Sequence, residues 1–204
     1  MASVYDHAAS TSTIAELTAG TSGAWAVAVG LQDPGMVRSL RPHQQLLLVQ
    51  ANPRLADRLR DEWPSGPPAG VSLCQELLGP CAQEVAWYRY NDPRLDGPLP
   101  PAELQHHRNL SLLGEERRPQ RTLAALLQDW WDSCGRPEGE GSLLLQGPDP
   151  GAVLLGAASL LPSLERVVCW QERGGRREAV RPAEAAVDRK STRLNSSHTV
   201  ISYA

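Results

Sequence analysis

The sequence contains no phenylalanine and no apolar run long enough to cross a membrane. Its 204 residues include six Trp and no Phe, so leucine, valine and alanine must supply most of the buried apolar area. No stretch approaches the ~20 apolar residues of a membrane span. Residues 1–23 also lack the basic start and apolar core of a secretory signal. We therefore expect a cytoplasmic protein that does not enter a membrane.

Cysteine is scarce, and its spacing matches no metal-binding pattern. The four cysteines are Cys74, Cys81, Cys134 and Cys169. None forms a Cys-x-x-Cys pair, and none is followed by His at the spacing of a zinc site. The sequence thus predicts no metal site, and buried or half-buried thiols in a reducing compartment.

Several catalytic and binding motifs are missing as well. The formal net charge of −3 argues against a protein that binds a nucleic-acid backbone. There is no Gly-x-Ser-x-Gly elbow of a serine hydrolase. There is no Gly-Lys-Ser/Thr ending of a nucleotide P-loop, and no paired-carboxylate segment typical of a glycosidase.

The two ends of the chain differ from the rest. Residues 1–23 are rich in Ser, Thr, Ala and Gly, which predicts a flexible leader. Residues 188–198, D-R-K-S-T-R-L-N-S-S-H, resemble the conceptual translation of a common short-read sequencing adapter. We interpret residues 188–204 as an artefactual tail and leave it out of the predicted fold. The natural frame is then expected to be cut near Val187, so that an α/β domain over 24–187 would be incomplete.

Short apolar runs alternate with helical patterns through the domain. Residues 24–30, 46–50 and 142–146 are buried-strand candidates, and shorter strands are predicted at 71–74, 84–90 and 166–170. Asn52 followed by Pro53 predicts the start of a helix, and Thr122 can cap a helix through Trp130 and Trp131. A small-residue helix is predicted over 152–161, and residues 91–120 are predicted to be a loop.

This alternation predicts an α/β fold with a doubly wound, mostly parallel sheet and helices on both faces. The segments 25–30, 46–50 and 143–146 should then run side by side and open onto a shared crevice. Parallel sheets bind ligands at the carboxyl ends of their strands. That edge is expected to hold residues that are polar enough to bind a small molecule but include few acids and bases: Gly30, Gln50, Cys74, Asn91, Asp92 and Gln146.

Three separated segments together resemble the FkbM-type family of S-adenosylmethionine-dependent methyltransferases. They are L-V-Q-A-N-P at 48–53, R-T-L-A-A-L-L at 121–127, and the strand–turn–helix pattern at 143–161. The resemblance covers residues 25–170. It implies a Rossmann-like methyltransferase fold, S-adenosylmethionine as cofactor, and methyl transfer to an oxygen of a sugar or other hydroxylated small molecule or glycan.

The same comparison shows where the family's polar motifs are eroded. The family's first strand ends in an acid and a Gly-Ala-Asn-x-Gly turn, whereas this chain has G-L-Q-D-P-G at 30–35 with Ala28 or Val29 at the acidic position. Gln50 replaces the Glu that accepts both ribose hydroxyls, and it lacks the charge that strengthens such bonds. Ala124 stands where Asp is usual.

The resemblance implies that Gly30, Gly35, Gln50 and Asn52 bind the cofactor, and each has a plainer alternative. The glycines can form an ordinary strand-to-helix turn. Gln50 can be a strand-end residue that faces solvent. Asn52 is explained better as a helix cap than as a ligand contact.

Asn91 and Asp92 are the candidate substrate-binding residues, within a cluster of tyrosines and charged side chains. The alternative is a surface turn built on Asn-Asp-Pro chemistry. His106 and His107 offer a general base, yet no partner acid is identifiable and solvated loop histidines are favoured. No catalytic residue is therefore assigned. Two hypotheses follow: an active methyltransferase, or a catalytically inactive binding or scaffold module within a larger glycan-modifying protein.

Overall fold

A computed structural model describes residues 24–32, 37, 45–105, 107–147, 149–173 and 176–179. The predicted leader over 1–23, the tail over 188–204, Gly35 and His106 lie outside the described residues. In chain order, the described strands are β1 (Trp25–Val29), β2 (Gln45–Val49), β3 (Val71–Cys74), β4 (Leu77–Leu78), β5 (Gln83–Tyr90), β6 (Leu112–Arg121), β7 (Gly141–Gln146), β8 (Leu164–Arg173) and β9 (Arg176–Ala179). The α-helices are α1 (Pro53–Asp61), α2 (Leu123–Cys134) and α3 (Pro150–Leu155).

The centre of the fold is a six-stranded sheet in the order β3-β2-β1-β7-β8-β9. Its first five strands are parallel, and β9 pairs antiparallel with β8. Val27 of β1 lies opposite Leu47 of β2 on one side and Leu143 of β7 on the other. The predicted side-by-side arrangement of these three segments is therefore confirmed.

Helices cover both faces of this sheet. One face carries Val27, Leu47 and Leu143, which pack into one core cluster with α2. The opposite face carries Ala28 and Leu48, together with side chains of neighbouring strands, and packs against Leu59 of α1. Successive residues of a strand point to opposite faces, so both faces of these strands must be apolar. The doubly wound α/β architecture predicted from the sequence is confirmed at this level.

The helix caps follow the predicted chemistry. Asn52 Oδ1 accepts a hydrogen bond from the Arg54 backbone N–H at 2.9 Å, and Pro53 is the first residue of α1. Thr122 Oγ1 accepts from the Ala125 N–H at 3.2 Å at the start of α2. Each cap supplies an acceptor to an N–H group that has no partner within its helix.

Two tryptophans of α2 belong to the core. Trp130 is 8% exposed and Trp131 is 6% exposed. The ring of Trp131 meets that of Trp25 edge to face, with the ring centres 5.3 Å apart. This geometry is the favoured one for aromatic pairs. The two residues therefore pack the helix onto the sheet.

The prediction of one helix over 152–161 was wrong in its extent. The α-helix begins at Pro150 and ends at Leu155, and a 3-10 helix over Ala158–Ser163 follows. Gly156 separates the two, and a Cβ there would lie 2.1 Å from the Gly79 carbonyl oxygen. Gly156 thus fits a close backbone approach at the point where the α-helix ends. Pro162, which has no N–H for an α-helical bond, lies within the 3-10 helix that follows.

The prediction that residues 91–120 form a loop was also wrong in part. Residues 112–121 form β6, which pairs antiparallel with β5 and parallel with β4 in a second, three-stranded sheet in the order β4-β6-β5. β5 is a strand, as predicted, but it lies outside the parallel sheet. β6 carries charged residues and is largely exposed, so it lacks the apolar alternation by which strands are recognised. No helix in the described ranges is long and apolar enough to cross a membrane.

Candidate functional site

A cleft of about 350 Å³ lies between the carboxyl edge of the parallel sheet and the three-stranded sheet. We call it the edge cleft. Gly30, Gln50 and Gln146, which follow or end β1, β2 and β7, lie on its sheet side. The opposite wall is mostly apolar, with Leu77, Leu78, Val85, Trp87 and Leu99. The cleft opens where β1 lies between β2 and β7, the point at which strand order reverses and where such sheets bind ligands.

Gly30 lines the edge cleft but also has a structural role. Its φ is +73°, and a Cβ at this position would lie 1.9 Å from the Gln146 carbonyl oxygen. Its N–H donates to the Val49 carbonyl at 2.8 Å. The close approach of the turn to the end of β7 therefore requires glycine whether or not a ligand is bound. This geometry agrees with the ordinary-turn alternative while leaving Gly30 at the cleft.

Gln50 is buried and does not face solvent. It is 4% exposed. Its Nε2 donates to the Leu31 carbonyl at 2.8 Å, and its Oε1 accepts from the Asn52 N–H at 3.0 Å. The amide thus joins the turn after β1 to the turn after β2. Its oxygen keeps one lone pair, since a carbonyl oxygen can accept two hydrogen bonds.

Asn52 is held by the protein at both ends of its amide. Its oxygen caps α1, and its Nδ2 donates to the Pro93 carbonyl at 2.6 Å and to Asp96 Oδ2 at 2.9 Å. The same Oδ2 accepts from Arg54 Nη2 at 2.6 Å, and Asp96 Oδ1 accepts from the Tyr90 N–H at 2.7 Å. This buried network ties α1 to the end of β5 and to one wall of the cleft.

Asp96 organises that wall, whereas the sequence placed it only within the cluster of tyrosines and charged side chains around Asn91 and Asp92. The side chain of Asp96 is 2% exposed. In the sequence it belongs to an Asp-Gly pair, which indicates only a turn. Two of its partners, Asn52 and Arg54, lie 44 and 42 residues away along the chain, so no local pattern could have identified them.

Asn91 and Asp92 do not line the edge cleft. Asn91 Oδ1 accepts from the Ser111 N–H, and its Nδ2 donates to the Asn109 carbonyl, both at 2.9 Å. Asp92 caps the 3-10 turn Pro93–Leu95 through the Arg94 N–H at 3.0 Å. Burial raises the pKa of Asp92, but the hydrogen bonds and charge of Arg94 outweigh it and hold that pKa below its ordinary value. The surface-turn alternative describes both residues.

The described residues that line the cleft offer little acid–base chemistry. They include no His, Lys, Cys or Tyr. Asp149 accepts from the Ala152 N–H at 3.1 Å and so caps α3. Asp96 is committed to its network, and Glu76 and Arg94 complete the charged set. In the described part of the chain, no three His, Cys, Asp or Glu side chains group closely enough to hold a metal ion.

Comparison with known proteins adds no relative. No family model, no curated protein and no solved structure matches the chain.

Two of the four thiols are partly buried and hard to ionise. Burial, with a smaller contribution from the charge of Glu76, raises the pKa of Cys74 from 9.0 to about 12. Burial raises the pKa of Cys169 to about 11. Cys81 and Cys134 are exposed. Since the thiolate is the reactive form, the four sites should differ in reactivity.

We expect iodoacetamide at pH 8 to alkylate Cys81 and Cys134 in the folded protein, and Cys74 and Cys169 only after unfolding. Peptide mass spectrometry over a time course measures this order, with urea-unfolded protein as the control. Alkylation of Cys74 as fast as Cys81 would contradict this expected order.

The free energy of unfolding should also fall as the pH rises from 9 towards 12, because the thiols of the unfolded chain ionise first while the folded thiols stay protonated.

Proposed function

We propose that the edge cleft binds S-adenosylmethionine and that the protein is of the methyltransferase type, acting on an oxygen of a sugar or other hydroxylated small molecule. The observation that carries the proposal is the position of the cleft at the carboxyl ends of β1, β2 and β7. This is where a doubly wound sheet places its ligand. The cleft is also within the volume range of small-molecule sites.

The residues of the cleft fit an adenosine-bearing cation moderately well. Trp87 and Val85 offer apolar surface for a base, and the carboxylates of Glu76 and Asp149 favour a positive charge. Gln50 Oε1 can accept one hydroxyl hydrogen bond beside the one it already accepts from Asn52. A neutral amide binds a hydroxyl less strongly than a carboxylate, so we expect micromolar affinity.

When bound, S-adenosylmethionine would supply an electrophilic methyl group. The protein's own residues would place the methyl donor and the acceptor in line, because methyl transfer depends on positioning more than on covalent chemistry. Gly30 lets the turn after β1 lie close to β7, and Asp96 fixes the wall that carries Arg94. An acceptor would enter between this wall and the sheet edge.

A second function, binding without transfer, is favoured by one observation. The described lining residues include no histidine or lysine to act as a general base, and two of the carboxylates already hold backbone N–H groups. A module of this kind would use the cleft to bind a ligand or glycan as part of a larger glycan-modifying protein.

Calorimetry on the full chain tests the proposal. We expect saturable heat with S-adenosylmethionine and none with ATP, for which the cleft lacks a phosphate-binding loop. Leu99→Trp puts an indole into the cleft and should weaken binding by about tenfold or more. Leu113→Trp is the matched control, because Leu113 is 60% exposed on β6 and does not line the cleft.

The outcomes separate the two functions. Transfer of a labelled methyl group to a sugar or polyol panel would support the methyltransferase, whereas binding without any transfer would support the binding module. Absence of saturable heat, or equal affinity of the two tryptophan variants, would contradict the cofactor proposal.

A further inference from the structure

Two glutamines in the edge cleft each leave one amide atom unpaired. Gln146, at the end of β7, accepts from the Gln32 backbone N–H at 3.2 Å through Oε1, and its Nε2 has no hydrogen-bond partner. Gln32 donates from Nε2 to the Arg94 carbonyl at 3.4 Å, and its Oε1 has no partner. Both residues line the cleft.

The chemical nature of the two unpaired atoms is fixed by the bonds around them. A backbone N–H can only donate, so the Gln146 atom facing it must be the oxygen. A backbone carbonyl can only accept, so the Gln32 atom facing Arg94 must be the nitrogen. The unpaired atoms are therefore one donor, on Gln146, and one acceptor, on Gln32.

Such a pair is unusual at a buried position. Gln146 is 6% exposed, and buried polar atoms in proteins almost always have a partner. Both unpaired atoms are shielded from solvent, so bulk water does not satisfy them. The last torsion of a glutamine side chain is soft, so a small rotation that keeps both existing hydrogen bonds can bring these atoms to a molecule in the cleft.

We infer that Gln32 and Gln146 recognise a neutral planar group that carries one hydrogen-bond acceptor beside one donor, as in a carboxamide, a lactam or the amide edge of a nucleobase. An ammonium group would leave the Gln146 donor unpaired. A carboxylate would leave the Gln32 acceptor unpaired and would lie near Glu76 and Asp149. The apolar wall around Trp87 receives the ring or chain that bears the amide. This inference rests on the proposed function, since it names the polar end of the ligand in the same cleft.

Benzamide is the probe, because it joins an amide to an aromatic ring. Ligand-observed NMR titrations on the full chain compare it with N,N-dimethylbenzamide, which lacks the donor, and with benzoate, which lacks the donor and is charged. We expect benzamide to bind about three- to tenfold more tightly than either, the range for one neutral hydrogen bond.

Two variants assign the preference to the glutamines. Gln146→Glu keeps the oxygen that accepts from the Gln32 N–H but removes the Nε2 donor, and Gln32→Met removes the acceptor. Gln32→Met should reduce the preference for benzamide over N,N-dimethylbenzamide to about onefold, because only benzamide offers a donor to the Gln32 oxygen. Gln146→Glu should instead weaken both neutral probes by about three- to tenfold, because the carbonyl oxygen of each loses the same donor. Gln83→Met is the matched control, since Gln83 is an exposed glutamine that lines the same cleft, and it should keep the preference. Circular dichroism checks that each variant is folded, and Gln32→Met, at a half-buried side chain, serves if Gln146→Glu does not fold.

Equal binding of the three probes, absence of a saturable benzamide shift, a preference that survives in folded Gln32→Met, or unaltered probe affinity in folded Gln146→Glu would overturn the inference. Its failure is separable from that of the proposed function. Binding of S-adenosylmethionine without any benzamide preference contradicts the inference alone. A benzamide preference without S-adenosylmethionine binding contradicts the cofactor proposal alone.

Discussion

Gly30→Ala is expected to lower the free energy of unfolding by about 3 kcal/mol, because it combines backbone strain with a steric overlap. The φ of +73° at Gly30 disfavours any residue with a Cβ. The new methyl group would also lie 1.9 Å from the Gln146 carbonyl oxygen. That oxygen belongs to backbone, so β7 or the turn after β1 must move.

Gly66→Ala is the matched control for this substitution. Gly66 has a φ of +94°, and a Cβ there would meet no atom within 4 Å. It should lose only the backbone contribution, about 1 kcal/mol. Urea unfolding followed by tryptophan fluorescence measures both variants. Equal losses would show that the contact with Gln146 carries no weight.

The same substitution has a consequence for the edge cleft. A shift of the Gln146 backbone displaces the side chain that accepts from the Gln32 N–H. Any molecule bound at the cleft should therefore bind Gly30→Ala more weakly even under conditions where the variant is folded. Gly66→Ala, which lies outside the cleft lining, should bind as the unaltered chain does.

The sequence predicted the parallel sheet because its strands carry their own signals. β1, β2 and β7 are short apolar runs, since both faces of each strand are covered, and turn residues bound each run. The helix after β2 begins with Asn52 and Pro53, whose chemistry marks a helix start without reference to the rest of the fold. Local chemistry and burial agree at these elements.

The second sheet could not be predicted in this way. β6 consists mainly of charged and exposed residues and is held by pairing with β5, from which a long segment separates it. Strand pairing of this kind is a property of tertiary structure and leaves little trace in local pattern. The outer wall of the edge cleft comes from β4, β5 and the turns that follow β5. This wall could not be predicted from the sequence for the same reason.

The same difference between local and tertiary signals separates the candidate site residues that were placed correctly from those that were not. Gly30, Gln50 and Gln146 lie at the cleft because each follows or ends a strand that could be recognised. Asn91 and Asp92 follow a strand too, but β5 belongs to the other sheet and directs them into a surface turn. The structural role of Asp96 and the place of Gln32 in the cleft were missed, because both depend on partners distant in the chain.

Asp96→Ala should cost about 3 kcal/mol of unfolding free energy. The buried Tyr90 N–H would lose its acceptor at 2.7 Å, and a buried donor left unpaired costs about 1–3 kcal/mol. The charge-assisted bonds from Asn52 and Arg54 would be lost as well. Arg54 is 47% exposed, so water can solvate its released guanidinium and limit the total.

Asp57→Ala separates this network from an ordinary surface ion pair. Asp57 pairs with Arg60 at 2.6 Å, yet its side chain is 66% exposed, and such pairs contribute little. We expect its removal to change stability by less than about 0.5 kcal/mol in the same urea assay. Asp96→Asn should fall between the two, since its oxygen can still accept from the Tyr90 N–H while its NH2 group faces that of Asn52.

Because the Asp96 network holds the turn that carries Arg94, loss of stability in Asp96→Ala should coincide with weaker binding at the edge cleft. A folded Asp96→Ala protein with unaltered stability would mean that the wall is held by the apolar contacts of Trp87 and Tyr90 instead.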